Sequence, residues 1–297
     1  MKKPLHFLGA CMGLGAQIQT TEKGPYCLLK SLEFVDFVDL CQHPVSHSLL
    51  HTKENSSVKE TLRNFNTELS QKVLFYLKHN IMPIVIGGDH SVAIGTWFAN
   101  IEHLNTLSKK LGLIWIDAHM DAHTFDTSPS KAYHGMPLAS LLGYGPALIE
   151  RHDSLQKLLP ENLILIATRS YEKEEEKFLK DHNVRVHYMQ EVTKEGFANV
   201  LLNAFNDLKK KDLEVGISFD FDAIDPSHAP GVGSQEYKGL CKKELLEGFA
   251  QIDLLQDLVC LELVEYNPIL DENNKTKNLA LDILNKLLLR EHDLSRR

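Results

Sequence analysis

The sequence has no apolar run that approaches the roughly 20 residues a membrane-spanning helix needs. It has no C-x-x-C pair either. Its five cysteines, Cys11, Cys27, Cys41, Cys241 and Cys260, are odd in number and scattered. That usage predicts reduced thiols and argues against a disulfide framework or a thiolate zinc site. An excess of positive charge is also missing: 32 Lys and Arg stand against 40 Asp and Glu, a formal net charge of −8. A generic binder of nucleic acid or of an anionic membrane surface is therefore disfavoured. At the N-terminus, Lys2-Lys3 followed by LHFLGAC has the outline of a short signal ending in a lipidated cysteine. The apolar stretch is shorter than the usual ~7–15 residues and is broken by His6, so a buried first strand and a cytoplasmic location are the better reading. Internal repeats, low-complexity tracts and long polar linkers are all absent, which predicts one domain over residues 1–297.

What is present is an ordinary globular composition, 43% hydrophobic and 24% charged, with a regular alternation of patterns. PLHFLGA, IMPIVIGG (81–88), LGLIWI (111–116), NLILIAT (162–168), VRVHYM (184–189), EVGISFDF (214–221) and LVCLELVE (258–265) read as strands. Helical patterns cover 57–80, 91–109, 172–182, 194–211 and 277–292. Near-continuous apolar strands separated by helices predict an α/β fold with a parallel sheet covered on both faces.

The chemistry-bearing residues follow the strands. Asp89-His90 follows IMPIVIGG, Asp117-Ala-His119 follows LGLIWI, Arg169-Ser170 follows NLILIAT, Asp220-Phe-Asp222 ends EVGISF, and Glu265 ends LVCLELVE. In a parallel sheet the C-terminal strand ends share one edge, where ligand sites form. A lone aspartate after a strand is usually a turn former or helix cap. Asp117, Asp121, Asp220 and Asp222 gathered with His90 and His119 are a different matter. Four crowded carboxylates repel and raise one another's pKa, and two divalent cations would neutralise them. A mostly hard set of oxygens and imidazoles without thiolate favours Mn²⁺, with Co²⁺ or Fe²⁺ possible and zinc less so. In WIDAHMDAHT (115–124), an extended chain would put Asp117 and Asp121 about 13 Å apart. Sharing an ion therefore requires the chain to curl just past the strand. The curl carries His123 beyond the metals, so His123 is expected not to be a ligand but to point toward the substrate side.

GGDHS (87–91), DAHMD (117–121), SFDFDAIDPSHAPGVGS (218–234) and LVEYNP (263–268), in that order, resemble the ureohydrolase family of binuclear manganese enzymes. LGAQIQTTEKGP (14–25) is similar to that family's first substrate-side loop, and the resemblance runs from about residue 5 to 290. It implies a single three-layer domain with a central parallel eight-stranded sheet and two Mn²⁺ per subunit. His90, Asp117, Asp121 and Asp220 would bind one ion, and Asp117, His119, Asp220 and Asp222 the other. Asp121 also counts among the catalytic residues. The resemblance makes His134, in YHGMP, the residue that shuttles a proton to the leaving amine, and Glu265 the carboxylate facing the substrate guanidinium.

Within the family, GGDHSVAIGTW is most similar to the arginases, which implies hydrolysis of L-arginine to L-ornithine and urea by attack of metal-bound hydroxide. By position, Ser130 would contact the α-carboxylate and Glu172 the α-amino group. Glu175 would support Glu172 through water, and Ser234 would complete the substrate side. Three positions depart from the arginase pattern: His123 and Ala132 stand where asparagine is common, and Ser170 where aspartate is. Agmatinase or another guanidino-acid hydrolase is the alternative reading. A catalytically silent metal-binding regulator is a reading from a different class. The family also implies a small-molecule partner, no nucleic acid or membrane, and a homo-oligomer, trimeric or hexameric.

Overall fold

Four apolar runs of six or seven residues form strands buried at every position: Met82–Gly87 (β3), Leu111–Ile116 (β4), Leu163–Thr168 (β5) and Leu258–Val264 (β8). Glu214–Asp220 (β7) is buried at all but its first residue. Strands packed on both faces have no polar side to alternate with, hence their continuous apolar sequence. Leu5–Ala10 (β1) and Arg185–Tyr188 (β6) are partly exposed, and Phe37–Asp39 (β2) is a three-residue strand. The computed structural model describes residues 4–32, 37–39, 55–150, 156–252 and 257–292. Lys2, Lys3 and Cys41 lie outside the described residues.

All pairings are parallel, in the order β2-β1-β3-β8-β7-β4-β5-β6. Seven strands have four or more residues, and short β2 caps one edge. Alternate residues of each strand enter opposite cores. Ile114, Ile116, Ile217 and Phe219 face one side with the helix Phe197–Lys210, while Leu113, Trp115 and Val85 face the other with the helix Ala93–Thr106. The result is a single α/β domain whose sheet is covered on both sides. The packing is close enough that a Cβ on Gly216 would lie 2.3 Å from the Trp97 ring.

The sheet order positions the site. β3 and β4 are successive long strands in the chain, yet β8 and β7 are inserted between them. The run β3-β8-β7-β4 therefore lays side by side the four strand ends that carry His90, Glu265, Asp220 and Asp117. One expectation is corrected here. Cys11 is disulfide-bonded, its partner outside the described residues, whereas Cys27, Cys241 and Cys260 are free. An odd count and wide spacing in sequence do not exclude one disulfide, because bond formation depends on spatial and not sequential separation.

Candidate metal centre and active-site cavity

Each strand end turns its carboxylate inward by fixing one oxygen on a main-chain N–H. Asp117 Oδ1 accepts from His119 N at 2.7 Å, Asp220 Oδ1 from Asp222 N at 2.8 Å, and Asp222 Oδ1 from Ala118 N at 3.1 Å. The expected curl after β4 is present: Asp121 lies in the left-handed region at φ 47°, uncommon for a residue with a side chain. Its carbonyl accepts from Leu138 N, and His123 N donates to Gly135 O, folding the segment back over the site.

These turns bring the six residues into two adjoining groups. His90 Nδ1 lies 3.0 Å from Asp121 Oδ2 and 3.2 Å from both Asp117 Oδ2 and Asp220 Oδ2. His119 Nδ1 lies 2.9 Å from Asp222 Oδ2 and 3.6 Å from Asp117 Oδ1. Asp117 thus faces both imidazoles. His90 Nδ1 is buried and makes no directed hydrogen bond despite its three carboxylate neighbours, the condition of an atom suited to donate its lone pair to a cation. Burial, and then repulsion by Asp117, lifts Asp121 to about 6. Burial, Asp222 and Asp117 push Asp220 well above the ordinary carboxylate range. Asp117 is held low, because the His119 and His90 imidazoles beside it overcome its burial. Burial opposes charge on His90 and His119, yet the carboxylates outweigh it and raise both imidazoles well above their ordinary value. The cluster is short of positive charge, and its oxygen and imidazole donors suit hard to borderline divalent cations.

The sequence reading did not single out the residues behind His90. Ser218 Oγ donates to Glu262 Oε2 at 2.7 Å, so it accepts from His90 Nε2 at 3.0 Å. This leaves Nδ1 as the inward-facing nitrogen. Trp97 Nε1 donates to the same Glu262 oxygen. Trp115 stacks on the His90 ring at 4.0 Å and donates to Asp117 Oδ2. Glu262 had a signal: a carboxylate in the middle of the apolar run LVCLELVE needs partners.

The open side of the cluster faces a cavity of about 160 Å³ lined by His119, Asp121, His123, Pro129, Ser130, His134, Gly135, Glu172, Glu175, Asp220, Asp222, Ser234 and Glu265. His123, Ser130, Glu172, Glu175 and Ser234 line it with His134 and Glu265, none of residues 14–25 does, and His90 and Asp117 are buried behind. Glu265, in the left-handed region at φ 67°, accepts at Oε1 from His90 N at 2.9 Å and from His134 Nδ1 at 3.0 Å. Burial lowers His134, but Glu265 outweighs it and holds the imidazole at about 9. His123 is 6% exposed. Its Nε2 lies 3.1 Å from Glu172 Oε2 and 3.4 Å from Glu175 Oε2, and its Nδ1 is 3.1 Å from Thr127 Oγ1. It stands apart from the two ligand groups and braces the glutamates. Glu172 and Glu175 also form a reciprocal cap at the start of the helix Lys173–Asp181. Lys131 is not among the lining residues; its Nζ donates to Phe125 O. Ala132 is half-buried and does not line the cavity.

The fold and site together define a class: a parallel α/β protein with a carboxylate and imidazole centre suited to divalent cations at its strand ends. A family model described as the arginase family matches residues 3–289. The chain is 35% identical to the arginase of Bacillus caldovelox, covering 96% of this chain and 98% of that one. It is 33% identical to the arginase of Bacillus subtilis strain 168 over 97% and 98%. The crystal structure of arginase from Bacillus subtilis superposes with a TM-score of 0.82 over 96% of this chain and 98% of that chain. The chain belongs to the arginase family.

Proposed function

We infer that this chain hydrolyses a guanidino compound with two Mn²⁺ held by His90, Asp117, His119, Asp121, Asp220 and Asp222, and that its substrate is L-arginine. The observation that carries the reading is the sheet order. It gathers six donor side chains into one electron-rich cluster whose open side meets a cavity lined by carboxylates and histidines, with no Lys or Arg among the lining residues. Such a cavity favours a cationic substrate. A bound pair of divalent cations supplies an ionised water at neutral pH and stabilises developing negative charge.

The chain's own residues do the rest. Glu265 presents a carboxylate that a planar guanidinium can meet with directed N–H bonds. His134, held as an imidazolium by Glu265, has a proton on Nε2 to give to the departing amine. Glu172 offers negative charge to an α-ammonium, with Glu175 behind it, its carboxyl pushed up to about 8 by burial and by Glu172, and the Ser130 hydroxyl would donate to an α-carboxylate. L-Ornithine and urea are the products on this reading. By family likeness, the working form is a homo-oligomer of three or six chains, which light scattering on the eluted protein measures.

One observation favours a second reading. The cavity wall offers no lysine or arginine to a substrate carboxylate, as agmatine, which lacks one, would suit. Urea release from L-arginine, agmatine and guanidinobutyrate, each with Mn²⁺ and with Co²⁺, decides between them by kcat/KM. L-Arginine is expected to lead by more than tenfold. Preference for agmatine overturns the arginine assignment, and no urea from fully metal-loaded protein supports a silent binding scaffold.

A further inference from the structure

We propose that Glu236 is a positioning residue for the metal centre, bracing the back of His119 from a loop that carries no ligand. Nδ1 of His119 faces Asp222 Oδ2, while Nε2, on the far side of the ring, lies 3.6 Å from Glu236 Oε1. That distance is an ion-pair contact and not a hydrogen bond. Two independent features make the placement a built one. Ser170 Oγ donates to the same Oε1 at 3.0 Å, which fixes the carboxylate. The Arg169 guanidinium fixes the main chain, donating to Glu236 O at 2.9 Å, to Tyr237 O at 3.1 Å and to Asp222 O at 2.7 Å. Gly239 completes the fit, since a Cβ there would lie 2.5 Å from Arg169 Nη2.

The guanidinium therefore ties the loop bearing Glu236 to the main chain of the ligand Asp222. An imidazole that binds a cation through one nitrogen keeps its proton on the other, and a carboxylate behind that proton orients the ring and raises its basicity. Behind His90 the corresponding partner is the neutral Ser218 hydroxyl. His119 differs in having a charged one. Loss of Glu236 is thus felt at the cation His119 binds and much less at its neighbour.

The inference rests on the two-cation reading, and one experiment separates them. Metal-free wild type, E236A and E236Q are titrated with Mn²⁺ and with Co²⁺ by calorimetry, with the thermal midpoint of each metal-free protein as a folding control. Wild type takes two cations. E236A is expected to weaken one of them by about 10–100-fold and leave the other within a few-fold. E236Q, which keeps a polar oxygen behind Nε2–H but loses the charge, should fall between. Because the Glu236 side chain is 34% exposed, the metal-free midpoints should agree. Fewer than two cations on wild type overturns both readings. Two cations held equally well by wild type and E236A overturns the Glu236 inference alone, as does an equal loss at both sites with a fallen midpoint.

Discussion

His134 shows how one neighbour sets a residue's chemistry. The Glu265 carboxylate holds it at about 9 against an ordinary 6.5, despite burial that favours the neutral ring. A pKa raised by folding stabilises the protein fully below the unfolded value, and that contribution is lost as pH rises through the folded value. In the metal-free protein, the thermal midpoint of wild type should therefore fall relative to H134N between about pH 6.5 and 9. Parallel profiles would mean that the His134–Glu265 pair does not carry the charge assigned to it. In the metal-loaded enzyme, H134N should lower kcat by roughly 10²–10⁴-fold, the usual worth of a positioned proton donor, with both cations still bound. Loss of the cations in that variant would instead make His134 structural. His123 teaches the converse. Its position in the chain suggested the substrate side, and it does line the cavity. Its ring, however, is committed to Glu172, Glu175 and Thr127, so it acts by holding two carboxylates in place.

At the scale of elements, strand ends do the work. Asp121 after β4, Glu265 after β8 and Ala167 within β5 all have positive φ, at 47°, 67° and 75°. Left-handed backbone at residues with side chains is costly and persists where surrounding structure imposes it. At Asp121 and Glu265 it turns carboxylates toward His90, and at Ala167 it accompanies the register shift between Ile166 and Thr168. The sheet also transmits packing to the site, because Trp97 fits over Gly216 and its Nε1 holds Glu262 behind Ser218 and His90. G216A should cost about 1–3 kcal/mol through overpacking, measured by urea unfolding, and should weaken cation binding as Trp97 shifts. An unchanged unfolding midpoint would show that Trp97 moves freely.

β3, β4, β5, β7 and β8 were legible because burial on both faces makes each a continuous apolar run, and the partly exposed β1 and β6 because apolar residues still recur along them. β2 was not, since three residues carry no pattern. The helical run 194–211 is two helices, Met189–Glu195 and Phe197–Lys210, separated by Gly196 at φ 84°. One-turn helices such as Gly24–Leu29 and Pro137–Leu142 are too short for a 3.6-residue period to appear.

For the molecule as a whole, the carboxylate cluster makes stability depend on cations. The folded chain presents preassembled donors that the unfolded chain disperses, so cations bind the native state and shift unfolding by mass action. At 100 times Kd each site adds about 2.7 kcal/mol, and a chain of this size should gain roughly 5 °C or more in thermal midpoint. Scans with Mn²⁺, with chelator, and on D121A check this. A midpoint indifferent to both Mn²⁺ and chelator would sink the two-cation reading. Among the described residues, no helix is long and apolar enough to cross a membrane.

Sequence alone determined the inventory and its placement along each strand. Donor residues follow apolar runs, and a parallel sheet sends all such ends to one edge. The family resemblance then supplied the pairing of ligands. Tertiary structure decided which ends are neighbours, by inserting β8 and β7 between β3 and β4. It also decided which side chains stand behind the imidazoles: Ser218 and Glu262 for His90, Glu236 for His119. These contacts join residues 44 to 128 positions apart. Local propensity does not encode such partners; they are fixed only when long-range strand pairing and burial select one arrangement.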